Sequence, residues 1–290
     1  MAHRLTWLDV FTSRPLAGNG LAVVHDADGV DDTTMLGFAR ETKLSETTFV
    51  QTATENGADY LNRIWMTTRE LPFAGHPSLG TAVAVANARG DREARYVQQT
   101  GAGHQPVEVE LGDGGLARAS MLQEPARFGA EPELDLALRS LGLVDGDGHP
   151  ELPPQFVSCG VEHLVIPVRD ETVLARVHPD ADLMAAILAQ AEAICAYVAW
   201  PEPDGVSVQA RGFFLEGAPL VAGSLVAEDP ATGSAAGPLC AYLHARTGVT
   251  SIDIAQGVAM GRPSRITCEA GERVRVAGDV VVLIEGEVSL

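Results

Sequence analysis

Basic charge, cofactor motifs, long apolar runs and paired cysteines are all scarce or missing in this sequence. Twenty Lys plus Arg face 39 Asp plus Glu across 290 residues, a net charge of −19. A polyanion binder needs a basic stripe to displace counterions, so nucleic acid and an anionic membrane surface are both disfavoured as partners. No apolar run approaches the length of a membrane-spanning helix, and the N-terminal residues lack the charged-then-apolar pattern of a secretion signal. Cys159, Cys195, Cys240 and Cys268 are widely spaced with no C-x-x-C pair, which argues against a zinc site and a disulfide framework. The four read as packing thiols, and the expected compartment is the cytoplasm.

Cofactor signatures fail in the same way. Gly101-Ala102-Gly103-His104-Gln105-Pro106 puts Pro where a dinucleotide fingerprint needs its third Gly. No phosphate-binding loop, H-E-x-x-H or G-x-S-x-G occurs. The one lysine, Lys43, sits in a helix-like stretch with no phosphate cradle beside it, a poor place for a pyridoxal Schiff base. The expectation is chemistry by bare side chains.

Strand and helix signals interleave, so the class is α/β. Asp31-Asp32-Thr33 caps a helix running to about Lys43, and Leu44 to Val50 reads as a strand. Asp180 to about Val198 reads as the longest helix, with Leu183, Ile187, Ala191 and Ile194 on one face. Glycine-rich turns fall at 112–115 and 145–148, and Val280 to Ile284 reads as a buried strand.

An internal near-repeat carries the most information. Glu70-Leu71-Pro72-Phe73-Ala74-Gly75-His76 opens a helix closed by Gly90, and Glu228-Asp229-Pro230-Ala231-Thr232-Gly233-Ser234 opens another closed by Gly248. Both read E-x-P-x-x-G-[HS], about half the chain apart, which suggests two structural repeats. Both helices are apolar nearly all round, so each must be buried on every side. Their starts present N–H groups with the positive end of the helix dipole behind them, suited to a carboxylate or phosphate. Ordinary tight helix entries would give the same pattern.

These motifs resemble the PhzF-like family of phenazine-biosynthesis isomerases, which share the diaminopimelate epimerase fold. The likeness runs in order through Asp9-Val10-Phe11, Gly18 to Val23, Leu44 to Phe49, the two repeat motifs and Gly261-Arg262-Pro263-Ser264. It implies two pseudo-symmetric domains, each a curled, mostly antiparallel sheet around a central helix. They would span residues 1–118, completed by a strand near 278–290, and residues 119–277, with the active site in the cleft between them. It also implies a homodimer without cofactors. The family's catalytic residues fall on Glu46, His76 and Asp229; Asn19, Ser45, Gly75, Gly233 and Ser234 fall on substrate-binding positions. Epimerases of this fold carry a thiol at each helix start, and the positions aligned here read Ala74 and Pro230. Gly20 stands where many isomerases have Pro, and Met66-Thr67-Thr68 where they often read Phe-Thr-Pro.

Each residue also has a plainer reading. Glu46 could lie on an exposed strand face; in a closed site it would be raised toward neutrality and carry a proton both ways. Asp229 could cap a helix starting at Pro230, Ser234 could cap its own helix, and His76 could be a satisfied helix-start residue. His163 reads as structural, and Arg211 and Arg262 as ion-paired structural residues. The resemblance implies an isomerase that moves a proton and double bonds in a small anionic, carboxylate-bearing substrate, similar to trans-2,3-dihydro-3-hydroxyanthranilate. The competitors are a thiol-independent epimerase of a small amino or hydroxy acid, a non-catalytic carboxylate binder, and a hydrolase or lyase using the same Glu46.

Overall fold

The computed structural model describes residues 1–216 and 225–290. Two compact units divide the chain: residues 1–122 with 277–290, and residues 123–276.

In the first unit the elements are β1 (Ala2–Val10), β2 (Asn19–Val24), α1 (Asp32–Thr42), β3 (Glu46–Gln51), β4 (Tyr60–Trp65), β5 (Glu70–Leu71), α2 (Gly75–Arg89), β6 (Glu93–Thr100), β7 (Gly103–Leu111) and β8 (Leu116–Leu122). The second unit holds β9 (Arg127–Phe128), α3 (Leu134–Arg139), β10 (Gln155–Ser158), β11 (Glu162–Pro167), α4 (Glu171–Arg176), α5 (Ala181–Leu188), β12 (Cys195–Pro201), β13 (Ser207–Glu216), β14 (Leu225–Asp229), α6 (Gly233–Thr247), β15 (Ser251–Gln256) and β16 (Ser264–Glu269). The final strand, β17 (Arg275–Ser289), crosses into the first unit.

Strands β1, β2, β3, β4, β6, β7, β8 and β17 pair in that order, and β17 returns to β1, so the first unit is a closed ring. Helix α2 lies against seven of these strands, and its residues from Gly75 to Ala86 are all buried. Close approach needs a residue without a side chain: a Cβ on Gly80 would lie 2.6 Å from Leu21 Cδ2 and 2.8 Å from Leu8 Cδ1. The strand pleat separates two faces. Leu8, Leu21 and Thr48 point at α2, with Thr48 Oγ1 2.8 Å from Thr81 Oγ1. Phe49 and Val24 pack with Met35, Ala39 and Trp65 in a separate cluster that holds α1.

The second unit repeats this topology. The order antiparallel, parallel, antiparallel, antiparallel, parallel, antiparallel describes β1 through β7 and equally β10 through β16. Thus β3 corresponds to β12, β4 to β13, and α2 to α6. The repeat reaches individual contacts. Arg63 on β4 forks onto Glu70, and Arg211 on β13 forks onto Glu228 at 2.8 and 2.7 Å. The glutamate of each motif therefore ties its turn to the neighbouring strand. Helix α6 is buried at Gly233 and from Ala235 to Leu243, against β10, β11, β15 and β16. Both helices end in left-handed glycines, Gly90 at φ +76° and Gly248 at φ +77°.

Two sequence expectations are corrected. The long helix from Asp180 stops at Leu188: Glu192 turns the chain at φ +53°, and Cys195-Ala196-Tyr197-Val198 becomes β12. Aromatic and β-branched side chains there pack better on a pleated surface, and Ile194 is 42% exposed instead of continuing the buried face. Secondly, matching helix starts pair Ala74 with Thr232, each the residue before its helix, so Thr232, not Pro230, occupies the second thiol position.

Candidate active site

In the first unit, alternation along β3 decides where Glu46 points. Glu46 shares a face with Thr48, toward α2, while Thr47 faces α1 through a 2.9 Å contact with Thr42. The Glu46 side chain is 14% exposed, and its Oε2 lies 3.4 Å from His76 Nε2. His76 is the second residue of α2 and is buried, which pushes its pKa down to about 3. The contact is therefore not an ion pair, because the ring is neutral. Asn19, at the start of β2, places its Nδ2 3.2 Å from His76 Nδ1. An amide nitrogen only donates, so Nδ1 accepts and Nε2 carries the ring hydrogen. That hydrogen faces Glu46 across a distance longer than a formed bond, a spacing common before substrate tightens a catalytic contact. Ser45, directly before Glu46, is exposed.

The second unit has its own constellation around the start of α6. Asp229 ends β14 and is half-buried, and its Oδ2 accepts from Thr232 Oγ1 at 2.7 Å. Gln256 holds this turn: its Nε2 donates to Asp229 O and Thr232 Oγ1, and its Oε1 accepts from Thr232 N and Tyr197 Oη. Asp229 is thus not a helix cap. The residue before the helix is Thr232, whose hydroxyl is turned to Asp229, so α6 has no side-chain cap. Helix α2 has none either, because Ala74 has no polar group. Gly75 and Gly233 are both buried, and the N–H groups at these starts are available for an anion.

Ser234, the second residue of α6, does not cap it. Its Oγ lies 3.2 Å from Nε2 of His163, a fully buried residue on β11 whose Nδ1 is 2.9 Å from Val161 O. The sequence reading had no signal for this partnership, since the two residues lie 71 positions apart. The cysteines are buried, and burial pushes the Cys159 and Cys240 thiols up to about 12 and holds those of Cys195 and Cys268 well above the ordinary thiol value. Among the described residues, no three His, Cys, Asp or Glu side chains converge to hold a metal ion, and no helix is long and apolar enough to cross a membrane.

Residues 8–286 match the family described as phenazine biosynthesis-like protein, PhzC-PhzF. The chain is 35% identical, over 99% of its length and all of the relative's, to a trans-2,3-dihydro-3-hydroxyanthranilate isomerase of Pseudomonas aeruginosa. Among solved structures, one described as a predicted epimerase from Pseudomonas aeruginosa is 34% identical, with a TM-score of 0.83 and 99% of both chains covered. A PhzF-family phenazine biosynthesis protein from Bacillus anthracis, 24% identical, matches the whole of both chains at a TM-score of 0.86 and shares the fold. With both ordered motif sets inside the matched span, the chain belongs to the PhzC-PhzF phenazine biosynthesis-like family and is an isomerase of that family.

Proposed function

We propose that the protein is a cofactor-independent isomerase that moves a proton and double bonds within a small carboxylate-bearing substrate of the trans-2,3-dihydro-3-hydroxyanthranilate type. The observation that carries this reading is the Glu46–His76–Asn19 arrangement: a largely buried carboxylate facing a neutral imidazole whose proton position is fixed. Glu46 takes a proton from an activated sp³ carbon and returns it to another carbon of the conjugated system. The double bonds shift, mass is conserved, and nothing is oxidised or reduced. His76 Nε2–H stabilises the Glu46 carboxylate and orients it toward the carbon acid. The N–H groups of Gly75 and Gly233 receive the substrate carboxylate and the charge that develops on it. Asp229 accepts a hydrogen bond from a polar substituent, while Asn19 and Ser45 border the base.

The test is incubation with trans-2,3-dihydro-3-hydroxyanthranilate in D₂O, following absorbance and product mass, with Glu46→Gln alongside. Conversion that adds one deuterium at carbon and is lost in Glu46→Gln supports the reading. Near-wild-type turnover by Glu46→Gln removes Glu46 as the base. A product of different mass would favour a hydrolase or lyase.

A further inference from the structure

The hydrogen-bond sense of Ser234 can be worked out from its neighbours. A carbonyl oxygen only accepts, so the 2.9 Å contact with Val161 O places a hydrogen on His163 Nδ1. Burial lowers the pKa of this ring to about 4, and a neutral imidazole has one N–H. His163 Nε2 is then a bare acceptor, and the group 3.2 Å away is Ser234 Oγ. A hydroxyl has a single hydrogen, and here it is directed at Nε2. What Ser234 offers any other partner is lone pairs alone. The side chain is half-buried, so those lone pairs are within reach of a ligand, whereas His163 is fully buried and is not.

We infer that His163 is a positioning residue that turns Ser234 into an obligate hydrogen-bond acceptor, so that Ser234 reads a hydrogen-bearing substituent of the substrate, an amine or a hydroxyl, and not a carboxylate oxygen. This deepens the isomerase reading, and rests on it only for the identity of the ligand. A Ser234 hydroxyl rotated toward a carboxylate would leave Nε2 of the fully buried His163 facing oxygen lone pairs with no hydrogen between them. The corresponding helix start in the first unit uses the opposite tautomer. There Asn19 donates to His76 Nδ1 and the ring hydrogen sits on Nε2. One histidine thus presents a donor, and the other consumes one.

Two measurements on the full chain test this. With ¹⁵N-histidine labelling, the ring signals absent from His163→Gln should show the Nδ1–H tautomer at pH 7, and Ser234→Ala should shift the Nε2 resonance. An Nε2–H tautomer or an imidazolium at pH 7 overturns the inference. The second measurement compares the affinities of 2-amino-3-hydroxybenzoate and benzoate by calorimetry. The wild type should favour the amino-hydroxy compound by about tenfold, the scale of one well-made hydrogen bond. Ser234→Ala and His163→Phe should each cut that preference several-fold, with the remainder due to Asp229, and leave benzoate affinity in place. Equal weakening of both compounds by Ser234→Ala would assign Ser234 to the carboxylate and overturn the inference. Binding of neither compound would count against the substrate reading, and the tautomer would then decide the sense of Ser234 by itself.

Discussion

Asn19 donates to His76 Nδ1 across 3.2 Å, and this bond determines which ring nitrogen faces Glu46. Exchanging the donor for an acceptor should therefore act on chemistry more than on binding. In Asn19→Asp the ring hydrogen moves to Nδ1, and Nε2 turns a lone pair, or the charge of an imidazolium, toward the carboxylate. We expect kcat to fall about 10²-fold, the low end of what general acid–base catalysis contributes, with KM within a few-fold of wild type. Equal kcat values in the two proteins would show that the tautomer of His76 is irrelevant to turnover.

Acid should destabilise the native state through buried imidazoles. His25, His76 and His163 are held down to about 4, 3 and 4, from an ordinary value of 6.5, chiefly by burial. Folded-state values below the unfolded one mean that the unfolded chain binds more protons inside that window. The stabilisation is complete above about pH 6.5 and is lost as pH falls toward 4 and then 3, by about 1.4 kcal/mol per pH unit for each ring. Urea midpoints at pH 7 and pH 5 measure the slope. His25→Gln, outside the candidate site, should flatten it, and an unchanged slope would exclude His25 from the effect.

Gly237 lies under the Gln123 side chain, where an added Cβ would stand 1.8 Å from Gln123 Oε1. Gln123 Nε2 meanwhile donates to Gly233 O at 2.8 Å, in the first turn of α6. Gly237→Ala should destabilise by about 1–3 kcal/mol, the usual scale of overpacking. Adding Gln123→Ala should recover part of that loss, giving a coupling term in a double-mutant cycle. Strict additivity in urea unfolding would show that the two residues do not compete for the space.

Thr232→Val keeps the shape and removes the hydroxyl that donates to Asp229 Oδ2 and accepts from Gln256 Nε2. The loss removes one of the contacts that orient the Asp229 carboxylate. We expect kcat/KM to fall about tenfold and stability to drop by about 1–2 kcal/mol, the scale of a buried hydrogen bond whose partner is left behind. An unchanged kcat/KM would mean that the Asp229 orientation does not depend on this contact.

Much of the architecture was legible because it depends on local chemistry. The two all-apolar helices, their glycine stops and the E-x-P-x-x-G motifs are short-range signals, and the structure returns them as α2 and α6 with the same topology around each. Glu46 was legible as a carboxylate in an apolar strand, and pleat alternation explains why it points at α2 and not at α1. Relations between distant residues were not legible. Nothing in the neighbourhood of His163 indicates Ser234, and nothing near Asn19 indicates which nitrogen of His76 it would hold. The helix read from Asp180 to Val198 failed for a different reason. Ala-rich stretches suit a helix or a buried strand, and the turn at Glu192 depends on a left-handed backbone that no glycine announces.

The closing strand of the first ring has a consequence for biosynthesis. Residues 277–290, which pair with both β1 and β8, follow the whole of the second unit in the chain. A ribosome therefore makes every other strand of that ring before the one that shuts it. Until then β1 and β8 are open edges, the kind of surface on which chains stick to one another. The second unit has all its strands earlier in translation, so its pairing partners are complete while the N-terminal ring still lacks one of its own. The unit that carries Glu46 is thus the last to be completed, and no nascent chain holds a closed ring around its base before β17 has left the exit tunnel.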